Sequence, residues 1–211
     1  QKAILAMGSL NDSQATQYLV DSLSKETDPI LVETIKEALV KVGLNAIPDL
    51  KRMNQLLTGE LQSGKGSKAL PPEVLEKQLQ ANQYTIGKIL AVYNGQTNGL
   101  DLSNVYLGQN GSEQSYFNLV LDKKDLWGIK FKSANLSFGS FKGSRFRGVG
   151  DDRRWDTYDD WIADLSQARM RQANLTEANL SRVLMIRTDL SRATLNKANL
   201  SNARLTAANL S

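Results

Sequence analysis

Residues 161–210 read WIADL SQARM RQANL TEANL SRVLM IRTDL SRATL NKANL SNARL TAANL. Every fifth residue from Leu165 to Leu210 is leucine or methionine, the methionines being Met170 and Met185. Two positions earlier stand Ala163, Ala168, Ala173, Ala178, Val183, Thr188, Ala193, Ala198, Ala203 and Ala208, all small. A fixed short repeat signals a stacked architecture. Neither regular element fits a period of five. Helical residues five apart differ by about 140°, so the leucines would define no face. Strand residues five apart point to opposite sides. The pattern is met when the chain turns once per repeat and returns each leucine to the inside. The small residues then lie inside too, where backbone crosses close to backbone. Backbone N–H and C=O groups are left to bond the coils above and below, which gives them the partners they need. No proline occurs between Pro72 and Ser211, which suits stacked strands because proline cannot donate to a ladder.

AANLS, EANLS and KANLS conform to the pattern A(D/N)LXX, and the segment resembles the pentapeptide-repeat family. That resemblance implies a right-handed quadrilateral β-helix with four repeats per coil. The centre and the small residue would point inward and the other three positions outward. The likeness is dense over 161–211 and thinner over 100–146. There Leu102, Leu107, Leu126, Phe131, Leu136, Phe141 and Phe146 keep the five-residue beat. Ala134 and Ser144 suit the small position, whereas Lys124 does not, and the stretch 108–121 breaks register. With four repeats per coil, residues twenty apart stack. Leu165, Met185 and Leu205 then share one column, and Met170, Leu190 and Leu210 another. Each buried side chain of this size contributes roughly 1.5–3 kcal/mol.

The first half of the chain has helical periodicity. Ala3, Ile4, Ala6, Met7 and Leu10 precede a turn at Asn11-Asp12-Ser13 that offers helix caps. Asp28-Pro29 reads as an N-cap followed by proline at the first helical position. Leu31, Ile35, Ala38, Leu39 and Val42 form one stripe ended by Gly43. Gly8 and Gly43 punctuate two similar hairpins, and residues 1–61 resemble HEAT-type repeats. Residues 62–71 read as a flexible polar loop, and 72–98 as a helix that caps the solenoid edge. The fold class expected is α+β by segregated domains. A HEAT-like helical region precedes a right-handed quadrilateral β-helix over 99–211, with a loop insertion at 147–161.

Several chemistries lack their residues. The sequence has neither histidine nor cysteine, so the commonest general base, thiol nucleophile and metal ligands are missing. GELQSGK at 59–65 fits GxxxxGK, yet Gly66 stands where a phosphate loop needs Ser or Thr, and helix rather than strand precedes it. Neither a catalytic role, a cofactor nor a metal is expected; the loop carboxylates lack EF-hand spacing. The Asn-Leu-Ser/Thr triplets follow from the repeat itself.

The insertion RGVGDDRRWDTYDDW is the richest segment in side-chain types. Arg153, Arg154, Trp155, Tyr158 and Trp161 are of the kinds that dominate binding hot spots. The competing reading packs Trp155 and Trp161 against the stack and pairs or solvates the charges. Leu184 and Ile186 flank Met185 at positions that should face outward, and they form a small apolar spot. These seven residues are the candidate partner-binding set.

Charge separates the functional readings. Residues 1–98 carry 10 Lys/Arg and 10 Asp/Glu, whereas residues 99–211 carry 16 and 12. The quinolone-resistance type of pentapeptide-repeat protein imitates DNA and occupies topoisomerases. Imitation requires a strongly negative surface, since a duplex carries about one charge per 1.7 Å. A mildly basic solenoid disfavours it. Direct nucleic-acid binding would call for a concentrated basic stripe with interleaved aromatics, which the linear sequence does not display. The expected function is therefore a non-catalytic protein-interaction or scaffold module with a protein partner. No apolar run approaches the ~18 residues of a membrane span. Both ends of the chain read as cut. A cytoplasmic location is expected, with the periplasm or a lumen as alternatives, and the C-terminal coil suggests a tail-to-tail homodimer.

Overall fold

A computed structural model describes residues 1–10, 12–63, 70–94, 97–108 and 118–211. The chain divides into two compact units, Gln1–Tyr93 and Asn94–Ser211.

The first unit is helical, with α1 (Lys2–Met7), α2 (Ser13–Leu23), α3 (Pro29–Val42), a 3-10 turn at Gly43–Ala46, α4 (Ile47–Ser63) and α5 (Pro72–Val92). The caps are those legible in the sequence. The Asp12 carboxylate accepts from the Ala15 N–H at 2.8 Å, and Asp28 accepts from the Ile30 and Leu31 N–H groups. Leu19, Leu39, Leu50 and Ile86 are among its fully buried side chains. α5 packs on α4 and α3, so the helix over 72–92 contributes a core face to this unit. Its buried Asn82 accepts from the Asn54 amide at 2.9 Å and donates to the Leu50 carbonyl at 2.8 Å, tying α5 to α4. Gly8 and Gly43 are not equivalent, although their spacing suggests repeated punctuation. Gly43 turns the chain with φ at +69°, whereas Gly8 has helical φ and is pressed against α3. A Cβ on Gly8 would lie 2.5 Å from the Ala38 carbonyl oxygen. One glycine makes a turn and the other makes room.

The second unit is a β-helix solenoid. Its coils are joined by parallel single-residue bridges: Asp164 with Leu184, Arg169 with Asp189, Asn174 with Thr194, and Asn179 with Asn199. The partners are twenty residues apart and four bridges fill one turn, so each coil has four sides. Side one carries the centres Leu165 and Met185, side two Met170 and Leu190, side three Leu175 and Leu195, and side four Leu180 and Leu200. In the columns Leu165–Met185–Leu205 and Met170–Leu190–Leu210 the first two members are buried, whereas Leu205 is half-buried and Leu210 54 % exposed. Phe131, Phe141 and Phe146 fill the same inward positions in the coil below. Extended strand is scarce. Each side is only about three residues long, and a corner follows it.

Those corners explain the Asn/Asp position of the repeat. The second residue after each centre has positive φ, as at Gln167 (+60°), Gln172 (+56°), Glu177 (+61°) and Arg182 (+60°). Left-handed backbone is unfavourable for side chains with a Cβ. Where the residue before the centre is Asn or Asp, it offsets that cost. Asn174 accepts from the Thr176 N–H, Asn179 from Ser181, Asp189 from Ser191 and Asn199 from Ser201, at 3.0–3.1 Å. Asx side chains bond their own backbone two residues on in this way. Polar residues at inward positions are likewise satisfied, as where the buried Thr188 hydroxyl donates to the Leu165 carbonyl at 2.8 Å. Lys124, a misfit for the small position, is half-buried, and its ammonium reaches the Asn94 side chain at 3.3 Å.

The register break after Leu107 is also placed. Asp101 pairs with Lys130 and Tyr106 with Asn135, 29 residues on, nine more than a coil. Residues 109–117, which hold most of that surplus, lie outside the described residues.

Candidate functional site

The larger excursion grows from the corner between sides four and one. Arg145 pairs with Asn179, and Lys130 with Asp164, each 34 residues apart. The coil therefore carries 34 − 20 = 14 extra residues, and the register resumes unchanged above them. Its base is a short antiparallel ladder of β1 (Arg147–Gly148) and β2 (Trp161–Ile162). The ends of the expected insertion are thus fixed in the wall rather than free.

An ionic clamp holds the excursion down. Arg147 donates to both Asp156, at 2.7 Å, and Asp160. Its side chain is 8 % exposed, and that of Asp160 is 0 % exposed. From the coil above, Arg182 approaches Asp156 at 3.4 Å and Asp160 at 3.9 Å. The Asp156 N–H also donates to Asp160 at 2.9 Å. Charges this deep are tolerated only when paired. Burial pulls the Arg147 guanidinium down, but its hydrogen bonds to Asp160 and Asp156 outweigh that and hold it above its ordinary range. The hydrogen bond from Arg147 holds the Asp156 carboxyl below the usual aspartate range, with Arg182 adding to the effect. Nearer the tip, Asp159 accepts from the Asp152 N–H at 3.0 Å and the Thr157 hydroxyl at 2.8 Å. These bonds lower the Asp159 carboxyl as well.

Aromatic packing completes the base. Trp161 lies 5.9 Å from Trp127, ring centre to ring centre, and is half-buried. Gly148 lies against the same Trp127 ring, so closely that a Cβ there would fall 2.5 Å from it. Trp155 covers the Arg147 guanidinium at 5.0 Å yet remains 55 % exposed. Tyr158 is fully exposed at the tip.

The seven sequence candidates thus divide. Trp161 is part of the packed base, while Arg153, Arg154, Trp155 and Tyr158 face solvent. Leu184 and Ile186 are half-buried on side one, Leu184 lying between Asp164 below and Arg204 above in the column that runs up from Asp101 and Lys130. Sequence reasoning missed Trp127, Arg147 and Arg182 as members of the site. The register held the clue. Asp125 pairs with Arg145, so Trp127 and Arg147 occupy one column, and Arg182 sits at the same corner a coil above.

Among the described residues, no group of three or more His, Cys, Asp or Glu side chains is arranged to hold a metal ion. No described helix is long and apolar enough to cross a membrane. Of the phosphate-loop look-alike, residues 59–63 are the last turn of α4, and residues 64–66 lie outside the described residues.

Comparison with known proteins gives a match to the pentapeptide-repeat family model, eight copies over residues 163–191 and 173–211. No curated protein sequence matches the chain. Among solved structures, a pentapeptide repeat protein (Rfr23) from the cyanobacterium Cyanothece 51142 is 19 % identical, with TM-score 0.37, covering 55 % of this chain and 67 % of its own. A pentapeptide repeat protein of the Arabidopsis thaliana thylakoid lumen is 21 % identical, with TM-score 0.41, covering 55 % of this chain and 65 % of its own. QnrB1, a plasmid-mediated fluoroquinolone resistance protein, is 18 % identical, with TM-score 0.24, covering 53 % of this chain and 58 % of its own. The match thus spans less than two thirds of the length of the second and third of these proteins. Four-sided coils, Asx-stabilised corners and the family match agree over 163–211: that segment of the chain carries pentapeptide repeats.

Proposed function

We propose that this chain is a non-catalytic protein-interaction module, and that the excursion at 147–161 is its anchor. One observation carries the reading. A fully exposed Tyr158 and a Trp155 exposed by 55 % stand on a segment whose base is tied down by four charged side chains and two tryptophans packed at a tilt. Large aromatics usually gain stability by burial, and here they are held out from a rigid base. Such pre-organisation lowers the ordering cost of binding, and Tyr, Trp and Arg are the residue types enriched at hot spots. Arg153 and Arg154 flank the pair with exposed charge. Leu184 and Ile186 extend the surface along side one. The helical unit, read as HEAT-like from its hairpins, would add a second surface through its exposed Tyr18, Ile30 and Leu56. DNA imitation is disfavoured by the positive balance of the solenoid half.

A site-specific photo-crosslinker tests the anchor. It is placed at position 158 of the full chain, and at position 84 on α5 as a control, before irradiation in extract of the source cells. A discrete adduct at 158 that disappears with Trp155→Ala supports the reading. Equal, diffuse labelling at both positions would refute it.

A further inference from the structure

The solenoid folds scattered arginines into a local patch that the linear sequence does not display. Side two is bounded by two corners. Arg187 stands at the corner it shares with side one, and Arg192 at the corner it shares with side three. Arg169 lies in mid-side and Arg171 at the third-side corner one coil below. All four are exposed, and none has a carboxylate within ion-pair distance among the described residues. With about 4.8 Å between coils, they occupy two successive turns of one wall. On side two of these coils Asp189 is the one acid; its carboxylate accepts from the Ser191 N–H and the Asn209 amide at 3.0 and 3.1 Å and feels the charge of Arg171, while Asp164 on side one accepts from the Ser166 N–H at 2.9 Å. On side two the turn above presents Ala207, Asn209 and Ser211, and the turn below Ser133 over the buried Asn135 and Ser137; on side one the exposed Arg204 stands above Leu184, and the exposed Lys130 and Lys132 lie in the coil below.

The repeat supplies a second, independent observation. Six of the ten mid-side positions after 161 are an Asn or Asp that stabilises the next corner, at Asp164, Asn174, Asn179, Asp189, Asn199 and Asn209. In the regular repeats after 161, the departures are Arg169, Leu184, Thr194 and Arg204. Three of these four lie on sides one and two. Arg169 and Leu184 forgo a corner hydrogen bond and place, respectively, a cation and an aliphatic side chain on the wall. Ile186, beside Arg187 at the shared corner, continues the aliphatic edge.

We infer that sides one and two form a docking strip for an acidic segment of a partner protein, with an aliphatic residue seated on Leu184 and Ile186 and two or three carboxylates, or a phosphorylated side chain, facing Arg169, Arg171, Arg187 and Arg192. This names the partner chemistry and rests on the interaction reading above. Charge complementarity selects an anion. The aliphatic edge of Leu184 and Ile186 beside the arginines selects a protein segment over a nucleic acid, whose phosphates run continuously along its length and offer nothing aliphatic to seat there.

A random twelve-residue peptide library displayed on phage, panned against the full chain, tests the inference. The expected winners are enriched in Asp and Glu around a Leu, Ile or Val. Their affinity should fall at least about tenfold in R169Q/R171Q/R187Q/R192Q, since several exposed charge contacts each contribute a factor of roughly two to five. It should also fall as salt rises. Because all four arginines are exposed, circular dichroism should show the variant folded. The inference is overturned if winners lack acidic enrichment, if the variant binds them as well as the parent, or if a fluorescent twenty-base-pair duplex binds the same arginines more tightly than any winner. Winners that depend on Trp155 and Tyr158 but not on the arginines would sink this inference while leaving the interaction reading intact. Failure to enrich any peptide would count against both.

Discussion

Removing the Asp160 carboxylate should release the excursion without harming the wall. In the parent, that carboxylate is shielded from solvent, takes a hydrogen bond from Arg147 and another from the Asp156 N–H, and lies 3.9 Å from Arg182. Asp160→Ala leaves the Arg147 guanidinium, 8 % exposed, with Asp156 as its remaining partner, and Asp156 is itself 64 % exposed. Breaking a buried pair by deleting one member costs about 3–5 kcal/mol, and the surviving Asp156 contact argues for the lower end, about 3 kcal/mol. At about 1.4 kcal/mol per decade, this is a rise of roughly 150-fold in the opened population. Trypsin reads it directly, because Arg153 and Arg154 lie in the excursion and cleavage tracks the open form when reclosing is fast. The double change Arg147→Met with Asp160→Leu should recover most of the protection, since apolar residues often replace a buried pair at little cost. A loop of Asp160→Ala that is cut within about twofold of the parent rate would refute the clamp, because no measurable coupling energy would then remain.

Three further outcomes follow from the same geometry. Met185, fully buried, should tolerate Leu at a cost under about 1.5 kcal/mol, whereas Met185→Asp should abolish the cooperative melting of the solenoid; an Asp variant that melts like the parent would disprove the inward register. Arg169→Asn should raise the melting temperature by restoring an acceptor for the Arg171 N–H, worth about 0.5–1.5 kcal/mol, while weakening any anionic ligand of side two; a lower melting temperature would contradict the corner argument. Asp156, Asp159 and Asp189 are all held below the ordinary value of 3.8. Their contributions are present in full above that value and are lost as pH falls through the depressed folded values. The tryptophan emission of the excursion should therefore be flat from pH 8 to about pH 4 and change only below it, and a transition near pH 6 would show that another group governs the clamp.

The fold of the second half was legible because one signal was repeated ten times and only one geometry satisfies it. The early coils were readable from Phe131, Phe141 and Phe146, even where Lys124 spoiled the small position. The excursion was visible as an interruption, but its tethering was not. Arg147 follows Phe146 like any outward residue. Only the stacking of coils brings it beside Trp127, twenty positions earlier, and Arg182, thirty-five later. Pairing across that separation depends on the three-dimensional register, and local composition is blind to it. The same holds for Arg169, Arg187 and Arg192, which are strewn along the sequence and gathered by a twenty-residue turn. In the helical unit, the caps at Asp12 and Asp28 were local and therefore readable. The role of Gly8 depends on how closely α1 meets Ala38, a tertiary fact that no local pattern carries.

The corners have a consequence for how such a protein can change. Most close on themselves through a single Asn or Asp side-chain bond, and neighbouring sides meet the next coil by one bridge apiece. A corner can therefore be opened and lengthened while the walls on either side keep their partners. This chain has done so twice, adding nine residues after Tyr106 and fourteen after Arg145, and both times the ladder resumes in phase. The architecture thus separates the evolution of what is displayed from the stability of what displays it. New recognition segments can be spliced at any of the four edges, at a height fixed by the coil number, and the interior columns need not change to accommodate them.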